Sequence, residues 1–233
     1  MNCNNEEVQS LPTLQERLDL ITQNTRRLVQ PERLAIAEKA TADLFHSGIE
    51  DRILQAGAVA PAFTLEDART GKPVRSADLL TVGPLIVNFF RGRWCPYCVT
   101  ELETWRDLYP EVRRLGALLV AVSPQTTRQN NFAIDQHGLP FPLLADPGAK
   151  VAESFGLAYS VSEQQRSYFQ SILVNIPFNN AGLSYRNATE ASWRLTLPAV
   201  YVIAQDGTIL FAEAHADFRV RPEPAEVLVA LGR

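Results

Sequence analysis

The stretch that decides the fold is Pro84-Leu85-Ile86-Val87-Asn88-Phe89-Phe90-Arg91-Gly92-Arg93-Trp94-Cys95-Pro96-Tyr97-Cys98. Its apolar first half predicts a buried strand. The residues that follow predict a helix, because apolar side chains recur at helical spacing at Leu102, Trp105, Leu108 and Val112. Two thiols three residues apart therefore stand at a helix N-terminus, where free backbone N–H groups and the helix dipole stabilise a thiolate. One thiol can attack and the other can close a disulfide, so the motif predicts redox chemistry.

The composition is that of a soluble globular protein with room for a core. The 233 residues are 46% apolar and 21% charged, and the formal net charge is -4. No basic stripe indicates a nucleic-acid partner, and no apolar run approaches the roughly 20 residues that span a bilayer. The polar, acidic start of the chain does not resemble a signal peptide. With three cysteines and no export signal, we expect a cytoplasmic protein in which any disulfide is transient.

The chain divides into a helical segment and an α/β segment. Apolar residues recur at helical spacing between 11 and 28, and Pro31 begins a second predicted helix. We predict a helical extension at 1–55, packed on the main domain or on a second subunit, and a main domain at 56–233. Within that domain strands alternate with helices, which implies a largely parallel central sheet. Residues 158–193 interrupt the alternation as an insertion, with a predicted helix at 162–173 and a loop at 177–182.

A proline near the C-terminal end of the chain is the third element of the predicted site. Pro198 directly precedes a predicted strand at 199–204, which Asp206-Gly207 joins to a second strand as a hairpin. A Cys-x-x-Cys motif in an α/β chain is typical of thioredoxin-like redox sites, in which a cis proline faces the cysteines. A cis Pro198 is therefore a hypothesis, and a proline that merely begins the strand is the alternative.

Charged and aromatic side chains beside the cysteines are candidates for supporting roles. Arg91 and Arg93 share a face if the strand end is extended, and both are candidates to stabilise a thiolate. Arg194 is a candidate to reach the site from the opposite strand. For each arginine the alternative is a solvated surface charge. Trp94 and Tyr97 are expected to wall a pocket, or else to pack as ordinary aromatic residues.

Six segments carry a resemblance to a known family: 57–65, 90–98 with Glu101-Leu102, 121–125, 152–157, 198–207 and 217–224. The chain resembles the peroxiredoxin-like branch of the alkyl hydroperoxide reductase/thiol-specific antioxidant (AhpC/TSA) family. The block Arg-Gly-x-Trp-Cys-Pro-Tyr-Cys, from Arg91 to Cys98, is highly specific. The resemblance implies an α/β, thioredoxin-like fold, in which helices flank a central mixed sheet, with an N-terminal helical extension. It also implies thiol-based reduction of peroxides or disulfides.

Two positions depart from the pattern of typical peroxiredoxins. Those proteins carry Thr or Ser three residues before the peroxidatic cysteine, and Cys95 takes that place if Cys98 is peroxidatic. They also carry an arginine near the start of the late strand, where this chain has Pro198 with Arg194 slightly upstream. Both departures favour dithiol chemistry.

The predicted function is that of a thiol peroxidase with an internal disulfide. A thiolate attacks a hydroperoxide, the second thiol closes the Cys95–Cys98 disulfide, and thioredoxin or glutathione with glutaredoxin reduces it. Helix geometry favours Cys95 as the more exposed thiol and the resemblance favours Cys98, so the attacking sulfur stays open. A thioredoxin-like protein disulfide oxidoreductase and a non-catalytic redox-sensing interaction protein are the alternatives.

No cofactor or metal is expected. Structural zinc takes four ligands, and the chain has neither a second Cys pair nor a paired His motif. No Gly-rich phosphate loop is present. Cys3 is expected to be incidental, and Glu101 is expected to favour the helix N-terminus rather than to transfer a proton. A homodimer is expected from the resemblance and from the extension.

Overall fold

The computed structural model describes residues 12–232, so Cys3 and the first eleven residues of the predicted extension lie outside the described part. Seven strands form the central sheet: β1 (Thr64–Asp67), β2 (Pro73–Arg75), β3 (Leu85–Phe89), β4 (Leu118–Ser123), β5 (Leu143–Ala145), β8 (Ala199–Ile203) and β9 (Ile209–Ala214). A separate pair consists of β6 (Ala158–Ser160) and β7 (Arg194–Thr196).

Within residues 12–232 the α-helices are α1 (Leu14–Leu28), α2 (Pro31–His46), α3 (Ser76–Leu80), α4 (Pro96–Arg114), α5 (Thr127–His137), α6 (Lys150–Ser154), α7 (Glu163–Ser171), α8 (Ile176–Ala181) and α9 (Pro224–Val229). None of the helices in this part of the chain is long and apolar enough to cross a membrane.

The central sheet is mixed, in the order β2-β1-β5-β4-β3-β8-β9. Only the pairs β3–β4 and β4–β5 are parallel, and the pairs β1–β2, β1–β5, β3–β8 and β8–β9 are antiparallel. The predicted fold class, a mixed sheet flanked by helices, is confirmed. The expectation of a largely parallel sheet was wrong, because hairpins extend the parallel centre at both edges.

Strand β3 is the centre of the hydrophobic core. All of its residues are buried, and successive side chains enter opposite faces of the sheet. Leu85, Val87 and Phe89 join the core cluster on one face. Ile86 joins the cluster on the other face, where helix α4 packs through Trp105. The apolar stretch that predicted a strand therefore fixes the position of α4, and with it the two cysteines.

The two N-terminal helices differ in how they pack. Helix α1 begins with a capping box between Thr13 and Glu16, and it buries Leu14 and Leu18 in the same core cluster as α4. Helix α2 has no buried residue, although its apolar face is half-buried next to α7. Helix α1 is thus part of the core, whereas α2 lies on the surface of the domain, next to α7.

The segment 158–193 contains more regular structure than its sequence pattern predicted. The predicted helix at 162–173 is present as α7. The predicted loop at 177–182 is wrong, because helix α8 occupies it. The Asn175 side chain caps α8 by accepting a hydrogen bond from the Phe178 N–H at 3.0 Å, and Pro177 stands in its first turn. A small core of its own holds this segment together.

Gly156 marks a close approach between the helical extension and the main domain. A Cβ atom there would lie 2.0 Å from the Arg52 carbonyl oxygen, and the φ angle of +79° disfavours L side chains. We predict that Gly156→Ala lowers the free energy of unfolding by at least about 2 kcal/mol more than Gly138→Ala. Gly138 is the matched control, with φ +60° and no atom within 4 Å of its Cβ position. Equal losses in denaturant titrations would contradict this view of the contact.

Candidate active site

The cysteines are positioned by a sharp turn between β3 and α4. Cys95 is the N-cap residue of α4, and Pro96 occupies its first turn. Gly92 is required in the turn, because a Cβ atom there would lie 2.4 Å from Trp94 Nε1 and 2.9 Å from Gln125 Oε1. The same Gln125 oxygen accepts a hydrogen bond from the Arg93 N–H at 3.0 Å, which fixes the turn.

Both cysteines are free thiols and both are buried. Cys95 is 2% exposed and Cys98 is 0% exposed. Cys95 is thus the more exposed sulfur, in the direction expected for the helix cap, but the difference is small and both sulfurs are withdrawn from water. The cap is covered by aromatic side chains and by the N-terminal helices, so exposure does not decide which sulfur reacts.

Arg221 contacts the second cysteine. Its Nη2 lies 3.5 Å from Cys98 Sγ, and its Nη1 donates to Glu101 Oε2. Its Nε and Nη2 also donate to the Phe218 carbonyl oxygen, at 3.0 and 2.7 Å. The guanidinium is thus buried and held in one orientation, with its charge against the sulfur.

Arg91 supplies a second buried positive charge. It is 5% exposed, and its guanidinium carbon lies 5.0 Å from the Trp94 ring centroid and 4.3 Å from the Phe218 ring centroid. Its charge acts on both cysteines. Arg93 points elsewhere, since its Nε donates to Gln129 Oε1 at 2.8 Å. The prediction that Arg91 and Arg93 share a face is therefore wrong, because the turn at Gly92 ends the extended strand and with it the alternation of side chains.

These charges place one thiolate on Cys98. Burial raises the pKa of Cys98, but the hydrogen bond from Cys95 and the charges of Arg221 and Arg91 outweigh it and hold the pKa well below the usual value. The pKa of Cys95 is raised well above its usual value by burial, by its hydrogen bond to Cys98 and by the Cys98 charge. The pair therefore behaves as one thiol and one thiolate.

Glu101 belongs to this buried cluster. It lies beyond the first turn of α4, so its predicted role at the helix N-terminus was wrong. Burial raises the pKa of Glu101 to about 7, and the negative charge of Cys98 adds to this rise. The positive charge of Arg221 opposes it. The buried amide of Asn88 lies beside Glu101 and opposes this rise in pKa. Its spacing of three residues from Cys98 was the sequence signal for a shared face.

Pro198 and Arg194 occupy places that differ from the hypotheses. No cis peptide bond is present in residues 12–232, so Pro198 is trans. It is buried, and the pairing of Ala199 with Phe89 brings it to the end of β3 from which the cysteine turn leaves. Arg194 does not reach the cysteines, since its Nη1 and Nη2 bind the exposed Glu153 at 3.1 and 2.9 Å. Arg221, from a different segment, takes the place proposed for Arg194.

A cavity of about 280 Å³ lies beside Cys95. Trp94, Pro96 and Tyr97 are in its wall, together with residues of α1, α2 and α7. The Tyr97 hydroxyl lies 3.1 Å from Thr22 Oγ1 of α1, which ties the helical extension to the cysteine turn. Cys95 lines this cavity and Cys98 does not, so a small molecule in the cavity meets Cys95 first.

A family model described as the AhpC/TSA family matches residues 56–212. Among curated proteins, the chain is 33% identical to the thiol-disulfide oxidoreductase ResA of Bacillus anthracis over 106 residues, 45% of this chain and 59% of that protein. It is 33% identical to ResA of Halalkalibacterium halodurans over 129 residues, 53% of this chain and 70% of that protein. It is 32% identical to the chloroplastic peroxiredoxin Q of Sedum lineare over 101 residues, 43% of this chain and 53% of that protein. The chain thus spans little more than half the length of several relatives.

Solved peroxiredoxin structures share the fold. Peroxidoxin BcpB of Mycobacterium tuberculosis superposes with a TM-score of 0.58 at 21% identity, over 77% of this chain and 97% of that one. AhpC of the same organism superposes with a TM-score of 0.54 at 17% identity, over 77% and 92% of the two chains. The expected peroxiredoxin-type, thioredoxin-like fold is confirmed.

Arg221→Lys tests the source of the thiolate. Lysine keeps a positive charge but loses the forked contacts to Cys98, Glu101 and the Phe218 carbonyl, so we expect the pKa of Cys98 to rise. A rise of one pKa unit lowers the thiolate population about tenfold in mildly acidic buffer. The thiolate absorbance followed against pH measures this change. Arg194→Lys is the matched control, and an identical curve for both variants would refute the assignment to Arg221.

Glu101→Gln tests the buried carboxyl through the pH dependence of stability. The pKa of Glu101 in the folded protein is about 7, against 4.5 for an ordinary Glu, so the folded state keeps this proton when the unfolded state has lost it. The stabilisation that the protonated Glu101 contributes to the free energy of unfolding is therefore complete below pH 4.5. It is lost as the pH rises through 7, and the loss amounts to up to about 3 kcal/mol.

Glutamine does not titrate, so we expect Glu101→Gln to remove this fall in the free energy of unfolding. Urea titrations across this pH window measure it. Glu226→Gln, at an exposed position, is the control and should keep the wild-type slope. An unchanged slope in Glu101→Gln would show that Glu101 does not carry the effect.

Proposed function

The chain belongs to the AhpC/TSA family, and from that premise we propose that it is a thiol peroxidase. In this proposal the Cys95–Cys98 pair reduces hydrogen peroxide or organic hydroperoxides and becomes a disulfide. The observation that carries the proposal is the contact of 3.5 Å between the buried Arg221 guanidinium and the Cys98 sulfur, which favours a thiolate there with the Cys95 thiol beside it. A thiolate is the nucleophile that peroxide reduction requires, and the second thiol is placed to resolve the product.

The reaction proceeds in two steps. The Cys98 thiolate attacks the terminal oxygen of the hydroperoxide, the O–O bond breaks, and Cys98 becomes a sulfenic acid while the alkoxide takes the proton of Cys95. The Cys95 thiolate so formed attacks the sulfenic sulfur and displaces hydroxide, which a solvent proton converts to water. The sulfur pair loses two electrons, and the products are a disulfide, an alcohol and water. The charges of Arg91 and Arg221 favour the anions along this path.

An external dithiol completes the cycle. Thioredoxin, or glutathione with glutaredoxin, attacks one sulfur of the disulfide and returns both cysteines to the reduced form. Cys95 is the sulfur in the cavity wall, which makes it the one that a reductant meets. We keep the homodimer as a part of this proposal, and sedimentation of the full chain is its direct test.

A protein disulfide oxidoreductase is the second candidate. The likeness to ResA proteins and the Cys-x-x-Cys pair favour it. The burial of both sulfurs does not separate the two candidates, because a protein dithiol that recycles a peroxidase must reach the same sulfurs as a protein disulfide. A redox-sensing protein that does not turn over substrate is the third candidate. Slow oxidation of the two cysteines, with no return to the reduced form when a reductant is added, would support it.

The two cysteines are predicted to have unequal roles. We expect Cys98→Ser to abolish the reaction with one equivalent of hydrogen peroxide. We expect Cys95→Ser to react once and to accumulate a sulfenic acid on Cys98, which dimedone labels. The wild-type protein should instead lose two thiols and recover them with thioredoxin. Intact-mass spectrometry and thiol titration measure all three outcomes.

Several results would contradict the proposal. A dimedone adduct on Cys95 in the Cys98→Ser protein would reverse the assigned roles. Wild-type rates in either variant with the same reductant would exclude the two-thiol mechanism. Reduction of insulin disulfides without consumption of any hydroperoxide would shift the assignment to disulfide exchange.

A further inference from the structure

The cavity beside Cys95 is walled by segments that lie outside the redox motif. Its lining is mainly apolar and comes from the first two helices and from the segment 158–193. The apolar members include Val29, Leu34, Ala37, Leu44, Phe169 and Val174. The volume of about 280 Å³ is close to the lower end of the range for small-molecule sites, about 300–1,000 Å³. The cavity thus has room for one small, largely apolar ligand.

The sulfur in the cavity wall is also the one that a reductant is expected to attack. Cys95 lines the cavity and Cys98 does not. Attack on Cys95 expels Cys98, whose sulfur lies 3.5 Å from Arg221 Nη2 and whose pKa is held well below its usual value. A thiol of lower pKa leaves faster in thiol–disulfide exchange. The place of the cavity and the identity of the leaving group therefore select the same sulfur of the Cys95–Cys98 disulfide.

The charged side chains around the cavity favour an uncharged ligand. Glu38 binds Arg219 at 2.7 and 3.1 Å and lies 4.0 Å from Arg26, so the charges at this rim are paired with each other. Arg91 lies at the cysteine end, where its positive charge favours an incoming thiolate. Glutathione carries two carboxylates and an ammonium group, and to bury these against an apolar wall is costly.

Reduction of a disulfide inside such a cavity needs two sulfurs from the reductant. The first forms a mixed disulfide with Cys95, and the second displaces Cys95 from it. A separate thiol molecule would have to enter a cavity that the first ligand already occupies. A second thiol on the same ligand makes this step intramolecular and therefore fast. A protein dithiol, in turn, must bring its own backbone to sulfurs that are only 2% and 0% exposed.

We propose that this cavity binds the reductant of the Cys95–Cys98 disulfide, and that the preferred reductant is an uncharged 1,3-dithiol at the end of an apolar chain. The inference rests on the proposed function and deepens it, since it specifies the chemical class of the electron donor. The chain lies against α2 and α7, and the dithiol lies at Cys95 and Arg91. Thioredoxin and glutathione are then slower donors.

The exchange balances in two steps. A thiolate of the ligand attacks Cys95 Sγ, the Cys95–Cys98 bond breaks, and Cys98 leaves as the thiolate that Arg221 stabilises. The second ligand sulfur, as a thiolate, attacks the first ligand sulfur, closes a five-membered dithiolane ring and releases Cys95. Of the two protons that the ligand loses, Cys95 takes one and solvent takes the other. The dithiol loses two electrons, and the protein disulfide gains them.

The first test compares two dithiols on the disulfide form of the wild-type protein, prepared with diamide so that no hydroperoxide is needed. Dihydrolipoamide and propane-1,3-dithiol close the same five-membered ring, but only dihydrolipoamide carries an apolar chain. Each fully buried methylene group contributes up to about fourfold, so we expect dihydrolipoamide to react at least tenfold faster at equal concentration. The recovery of two thiols with time measures both rates. Equal rates, or faster reduction by glutathione or thioredoxin, would overturn the inference.

The second test fills the cavity without touching the cysteines. Ala37→Phe places a large side chain on the cavity face of α2, whereas Ala35→Phe makes the same change at an exposed position of the same helix. We expect Ala37→Phe to bring the rates of the two dithiols within about threefold of each other. Ala35→Phe should keep the wild-type ratio. An unchanged ratio in a folded Ala37→Phe protein would refute the site, and the wild-type comparison decides if this variant does not fold.

A third measurement locates the attacked sulfur. Hexane-1-thiol has an apolar chain but no second thiol, so its mixed disulfide with the diamide-oxidised protein cannot close a ring. Iodoacetamide blocks the released cysteine, and peptide mass spectrometry then identifies the modified residues. We expect hexanethiol on Cys95 and the carbamidomethyl group on Cys98. The reverse assignment would overturn the inference.

These experiments separate the inference from the proposed function. Preferential reduction by dihydrolipoamide, in a protein whose thiols no hydroperoxide oxidises, would refute the proposed function and support the dithiol site. Rapid oxidation by hydroperoxides, followed by reduction with no preference for dihydrolipoamide over propane-1,3-dithiol, would overturn the site and leave the proposed function standing.

Discussion

Two guanidinium groups buried around one pair of sulfurs are the constraint on which the rest of the site depends. Arg91 and Arg221 are both withdrawn from water, and burying a charge is costly unless a partner neutralises it. Glu101 is the buried carboxyl that is paired with Arg221. Arg221 contacts both the Glu101 carboxyl and the Cys98 sulfur, so an anion at either place offsets its charge. The same arrangement explains why a buried thiol ionises, since burial alone would keep it neutral.

This balance links the redox state of the sulfurs to a proton. Burial and, to a smaller extent, the negative charge of Cys98 raise the pKa of Glu101, because like charges repel each other. When Cys98 enters a disulfide its charge is lost, and the pKa of Glu101 falls. Glu101 then carries the negative charge that Arg221 requires. In the proposed cycle an anion therefore stays beside Arg221 in both oxidation states of the sulfurs.

The sequence predicts what is local and misses what is distant. The strand at 85–89, the helix after it and the hairpin at 199–214 follow from periodicity and turn residues. Glu101 carried a local signal, its spacing from Cys98. Arg221 carried none, because its contact with Cys98 spans 123 positions and depends on how the segment after β9 folds back. Arg93 was misplaced because a single glycine ends the strand alternation. The edges of the sheet were missed because strand order is not encoded in the alternation of elements.

Burial protects the thiolate from bulk water, and it also hides the thiolate from a substrate. The residues around the sulfurs therefore have to exclude water on one side and leave a path for a substrate on another. Helix α1 meets the first need, since it packs into the core and its Thr22 contacts Tyr97 beside the cysteines. Helix α2 meets the second, since its apolar face borders a cavity instead of a core. The two helices of the extension therefore pack unequally: α1 completes the core beside the cysteines, and the apolar face of α2 is left at the cavity wall.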